Sequence, residues 1–193
     1  FAGSEDFVGG GFVSAGDFDG DGRAEFVVTP DVSGGPRVTV FTRNADGSTT
    51  VRADFFGIDD PNFRGGARTA VGDVDGDGRP DLSVAAGFGG GPRVALYDGV
   101  TVLGGTPTRL VADFFAFAGS DAVNLRNGAF VAIGDVDGDG FGDLVAGAGP
   151  GGGPRVKAYS GASLLSVGGN DTVPFADFFA GNVDNRGGVK VTT

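Results

Sequence analysis

Short apolar segments recur along the chain, separated by breaks rich in Gly, Asp and Pro. The middle of the sequence shows the pattern most clearly. Ala67–Val71 leads into an acidic stretch, Leu82–Ala86 leads out of it, and Arg93–Tyr97 follows a Gly-Pro turn. A fourth segment ends in Asp113, Phe114 and Phe115. Each is five or so residues long, rich in Val, Ala and Phe, and none carries the 3.6-residue apolar period of a helix. The pattern predicts four short strands per unit of about sixty residues.

The unit is repeated. Acidic stretches begin at Asp17, Asp73 and Asp135, and the other landmarks keep step with them. A Gly-Gly-Pro-Arg-Val segment places Arg37, Arg93 and Arg155 at the same distance after each. Phe55 and Phe56, Phe114 and Phe115, and Phe178 and Phe179 close the fourth segments, each pair preceded by Asp54, Asp113 or Asp177. The units are approximately 1–56, 57–116 and 117–179, and 180–193 begins a fourth. Residues 1–193 thus form one repeat domain. The fold class is all-β: tandem four-stranded antiparallel sheets resembling β-propeller blades, three repeats plus one extra strand. The extra length of the second unit falls in Asp98–Thr108, which is expected to be a surface loop.

The acidic stretches carry the chemistry. Asp17, Asp19, Asp21 and Glu25 stand at positions 1, 3, 5 and 9 of the first, with glycines at 4 and 6. Asp73, Asp75, Asp77 and Asp81 repeat the spacing, as do Asp135, Asp137, Asp139 and Asp143. Carboxylates this close repel one another unless a cation sits among them, and an all-oxygen donor set suits Ca²⁺ rather than Zn²⁺. Turn chemistry alone does not demand acids at all four positions. Three Ca²⁺ sites are therefore expected. They are not EF-hands, because position 12 holds Val28, Val84 or Ala146 and the flanks lack helical periodicity. Glu25 replaces Asp in the first loop, so its site is expected to be the weakest and Glu25→Asp to tighten it.

Composition narrows the function. The formal charge of −11 disfavours nucleic acid, and three divalent ions would bring it to −5. No Cys, His, Met or Trp is present, which removes thiolate and imidazole chemistry. No apolar run is long enough for a membrane span. No nucleophile–base pair can be assembled, so an enzyme is not expected. Millimolar Ca²⁺ outside cells would fill such loops without tight affinity, which favours an extracellular or cell-surface setting.

The loop followed by Leu82, Val84, Ala86 and Gly87, and again by Leu144, Ala146 and Gly147, resembles the FG-GAP/VCBS repeat family, known from the β-propeller of integrin α subunits. The first copy departs from the pattern at Glu25 and over Val27–Pro30. The resemblance implies Ca²⁺ held on hairpins by the acids named above, with the backbone carbonyls of Arg23, Arg79 and Phe141 contributing. A structural or adhesive repeat, part of a longer array or self-assembling, is the leading expectation. A module binding glycans or proteins is the alternative, weakened by the scarcity of Trp and Tyr. Arg37, Arg93 and Arg155 are expected to pair with Asp54, Asp113 and Asp177 rather than to form a ligand clasp, and the Phe pairs to be core. Phe1–Ala15 aligns without a gap on Phe179–Thr193, so contacts with adjacent repeats or other copies are expected at both ends, burying Phe12 or Val189.

Overall fold

The computed structural model describes residues 7–193, so the part of the terminal alignment that falls on 1–6 lies outside it. Twelve strands form three four-stranded antiparallel sheets. The first holds β1 (Gly11–Gly16), β2 (Glu25–Pro30), β3 (Arg37–Arg43) and β4 (Thr49–Phe56). β5 (Ala67–Gly72), β6 (Asp81–Ala86), β7 (Arg93–Tyr97) and β8 (Arg109–Phe115) make the second. β9 (Ala129–Gly134), β10 (Asp143–Ala148), β11 (Arg155–Tyr159) and β12 (Ala176–Phe179) make the third. Within each sheet the strands lie in chain order, joined as successive hairpins.

The sheets bury their faces against one another. Between the first and second lie Val27, Val38 and Val40, packed against Leu82, Val84 and Tyr97. Between the second and third, Val94, Leu96 and Phe114 pack with Ile133, Leu144 and Tyr159. Two tyrosines tie the layers: Tyr97 donates its hydroxyl to the carbonyl of Gly57 at 2.9 Å, and Tyr159 donates to that of Ala116. The buried phenols thereby meet their need for a partner.

Glycine sets the spacing between successive units. Gly66 and Gly128 have φ of 72° and 67°, and a Cβ on either would strike backbone of the preceding sheet, at Pro30 O (2.3 Å) and Ala86 O (1.8 Å). Only a residue without a side chain allows that approach. Gly188, with φ 71°, meets the third sheet in the same way, at Ala148 O. From it the extra segment runs across the third sheet, the amide of Val189 donating to Ala148 O at 2.9 Å and the Thr193 hydroxyl to Ile133 O at 2.7 Å. It takes the place that β5 takes on the first sheet, without strand neighbours of its own.

Three short helices interrupt the connections: α1 (Gly99–Val102), α2 (Ser120–Asn124) and α3 (Gly161–Val167). α1 corrects the expectation of a plain surface loop over Asp98–Thr108, because Val102 is fully buried in the core. Among the described residues, no helix is long and apolar enough to cross a membrane.

Candidate metal centres

Each acidic loop turns the chain from the first strand of a sheet to the second. The loop is held by its own carboxylates before any ion is considered. Asp17 accepts from the amides of Gly20, Asp21 and Gly22; Asp73 accepts from Gly76 and Gly78, and Asp135 from Gly138 and Gly140. Gly20 and Gly22 have φ of 73° and 86°, which is why glycine stands at positions 4 and 6.

The structure brings three of the four acids of each loop together. Asp17, Asp19 and Glu25 place one carboxylate oxygen each within 4.8 Å of the others, as do Asp73, Asp75 and Asp81, and Asp135, Asp137 and Asp143. Asp21, Asp77 and Asp139 stand outside these groups, each accepting instead from the amide two residues on, at Arg23, Arg79 and Phe141. The guanidinium of Arg79 turns to the carbonyl of Phe18 in the first loop, at 2.9 Å.

Position 9 does two jobs. Glu25, Asp81 and Asp143 are almost fully buried. One oxygen of Asp81 accepts from the amides of Val74 and Asp75, and the other from Gly99 at the start of α1. Asp143 repeats this with Val136, Asp137 and Gly161. In the first unit no helix follows β3. There Glu25 accepts from Phe18, and its second oxygen meets the hydroxyl of Thr42 at 3.4 Å. The longer side chain fits a hairpin in which a hydroxyl replaces the helix amide.

Burial, with neighbouring carboxylates adding to it, pushes four of the loop acids upward. Asp81 rises to about 6, and Glu25 and Asp75 also shift up, with desolvation the leading cause in each. Asp137 shifts up as well, by desolvation and the charges of Asp143, Asp139 and Asp135. The charged forms are disfavoured as the groups stand, and a cation among them would reverse that. Hard oxygen donors in a glycine-hinged loop fit Ca²⁺.

The other recurrent residues sort themselves plainly. Arg37 pairs with Asp54 through two nitrogens, and Arg155 with Asp177 at 2.7 Å in the same forked manner. Arg93 meets Asp113 at 2.6 Å, with Arg109 on the other side. The structural pairing is therefore the observed one. The Phe pairs depart from the expectation of core. Phe114 is buried, but Phe56, Phe115 and Phe179 are 46%, 42% and 48% exposed. A strand alternates its faces, so two adjacent phenylalanines cannot share one. These half-exposed rings beside the recurrent arginines could have been recognised from that period alone.

Three hairpin-borne acidic loops on stacked four-stranded sheets define a repeat module of the β-propeller kind. Two family models match it: the FG-GAP-like repeat over residues 17–84 and the FG-GAP repeat over residues 127–165. The chain belongs to the FG-GAP repeat family. No curated protein matches it. Among solved structures, that of rhamnogalacturonan lyase YesW is similar in fold, with a TM-score of 0.51 and 17% identity over 90% of this chain and 34% of the lyase. The chain thus spans about a third of that enzyme's length.

Proposed function

We propose that this chain is a calcium-stabilised repeat module of an extracellular or cell-surface protein, with a structural or adhesive role. The observation that carries the reading is the threefold convergence of carboxylates at positions 1, 3 and 9. Ca²⁺ is assigned to all three loops, with the position-5 acids and the carbonyls of Arg23, Arg79 and Phe141 completing each shell. Membership of a repeat family typical of extracellular and surface proteins supports the location. The role is one of binding and scaffolding, not catalysis, in keeping with a sequence that has no His or Cys.

Removing the ion leaves carboxylates within a few Å of one another, each pair repelling by about 1–4 kcal/mol at effective dielectrics between those of water and a protein surface. Thermal unfolding followed with Ca²⁺ and with excess EDTA tests the reading. Chelation should lower the melting temperature by roughly 10 °C or more, given that about 1 kcal/mol moves a domain of this size by ~2–4 °C. Asp75→Ala should abolish one of three binding events in calorimetry. A melting curve unchanged by EDTA would refute the calcium assignment.

The same reading places neighbouring repeats, or further copies of the chain, against the two end sheets. The first sheet leaves Phe26 38% exposed where its counterparts Leu82 and Leu144 are fully buried. The third leaves Val136 and Phe178 55% and 51% exposed where Val74 and Phe114 are buried. Phe12 and Val189 do not mark these faces: Phe12 lies over Arg68, and Val189 is bonded to the third sheet.

A further inference from the structure

Three pockets repeat with the units. One is formed by Gly91, Arg93, Phe115 and Arg126 and has a volume of about 210 Å³. A second, of about 110 Å³, sets Gly153, Arg155, Phe179 and Arg186 in the same relation. A third, of about 190 Å³, has Gly35, Arg37, Phe56 and Arg64. The four residue types coincide at matching positions of the repeat. Asp60 also lines the first of these pockets and Asp121, paired with Arg155, the second; the third has no acid in its lining.

Each component has a definite chemical character. The first arginine is held by an aspartate of the last strand, through two nitrogens for Arg37 and Arg155 and through one for Arg93. The phenylalanine ring lies half exposed against the glycine: a Cβ on Gly91 or Gly153 would come within 3.0 or 3.1 Å of the ring edge. The second arginine has no acid. Arg64 donates to the carbonyls of Pro61 and Phe63, and Arg126 to that of Gly89. Among the described residues neither these two nor Arg186 has a carboxylate within ion-pair distance.

An apolar ring face beside an Arg–Asp pair suits a pyranose, which presents C–H groups on one face and hydroxyls at its edge. The unpaired arginine adds a place for a carboxylate. The pockets are smaller than the ~300–1,000 Å³ of drug-sized sites, so each has room for one ring. Weak sites repeated along an array gain strength when a ligand repeats too. We propose that the three pockets are equivalent subsites for separate rings along one acidic polysaccharide chain, each taking one uronic acid residue. The inference rests on the adhesive reading of the module and gives it a ligand, but it does not depend on the calcium assignment.

The test is calorimetric titration of the Ca²⁺-loaded chain with a β-linked glucuronate hexamer, the glucuronate monomer, cellohexaose as the neutral match and a glutamate hexapeptide. The glucuronate hexamer should bind, and the monomer about tenfold or more weaker because it engages one pocket at a time. Cellohexaose should be about tenfold weaker for want of a charge-assisted bond. Phe115→Ala and Arg126→Gln should each weaken the hexamer while leaving the melting temperature within a few degrees of the parent, since both side chains are substantially exposed. Equal binding of cellohexaose would overturn the carboxylate, and stronger binding of the peptide would overturn the sugar. No binding, or binding unaffected by both variants, would overturn the proposal, and calcium-dependent melting in the same samples would leave the module's calcium reading standing.

Discussion

Position 9 of the first loop shows how one residue answers to its surroundings. The spacing of Asp17, Asp19, Asp21 and Glu25 made the loop legible, because carboxylates at alternate positions between glycines have few other reasons to exist. What the spacing could not convey is why Glu replaces Asp. The reason lies seventeen residues on, at Thr42, where β3 continues into a hairpin and no helix amide reaches back. Shortening Glu25 to Asp withdraws the carboxylate from the Thr42 hydroxyl, whereas the position-2 amide is one that Asp81 and Asp143 reach in the other two loops. A lost hydrogen bond of this kind costs about 0.5–1.5 kcal/mol. Glu25→Asp should therefore destabilise the metal-free protein by an amount of that order and weaken the first site. This reverses the expectation from the loop pattern alone. Denaturant unfolding in EDTA and calorimetry with Ca²⁺ check both halves, and a tighter first site in an equally stable protein would restore the simpler view.

At the scale of elements, the first strands of successive units are joined by a feature that composition conceals. Phe12, Arg68, Phe130 and Lys190 occupy matching places in the repeat, alternating ring and cation. Arg68 lies 5.9 Å from the Phe12 centroid and 4.0 Å from that of Phe130, and Lys190 lies 5.8 Å from Phe130 on the far side of the sequence. Arg68 is buried and donates to the carbonyls of Asn127 and Ala129, binding β5 to the start of β9. Burial also pulls its pKa down, since no carboxylate pairs with it directly. Replacing it by Met keeps much of the volume but leaves two carbonyls unpaired and removes the ring contacts. With cation–π contacts worth up to ~2 kcal/mol when desolvated and each lost bond about 1, Arg68→Met should cost roughly 2–4 kcal/mol. Hydrogen exchange should quicken first in β5 and β9. Loss confined to another sheet would show that the row is incidental. The strands themselves were readable from Val, Ala and Phe segments between Gly-rich breaks. The helices were not, since α1 and α3 are short and held by contacts from elsewhere, the Gly99 and Gly161 amides docking on Asp81 and Asp143.

For the whole molecule, the repeat explains both the stability of the middle and the character of the ends. Every internal sheet hides two faces, and the two outer sheets hide one each. The counterparts of fully buried Leu82 and Val74 are the partly exposed Phe26 on one side and Val136 on the other. Regular spacing in the sequence announces the layers but is silent about which faces stand open among the described residues, because Phe26 and Phe178 look like any other core position. The open faces are unequal and mutually suited: Phe178, Val136 and their neighbours repeat the surface that the second sheet offers the third, while Phe26 repeats the surface that the third offers in return. Such a contact is head-to-tail and need not close. Ultracentrifugation of the Ca²⁺-loaded chain at micromolar concentration should therefore show concentration-dependent association. Phe178→Asp should suppress it by placing a charge in the contact, with Phe26→Asp acting equally from the other face. A mixture of the two variants retains one native face on each partner and should recover dimers but no longer species. Monomers at every concentration for the parent chain, or chains of undiminished length in the mixture, would show that these faces do not join copies of the molecule.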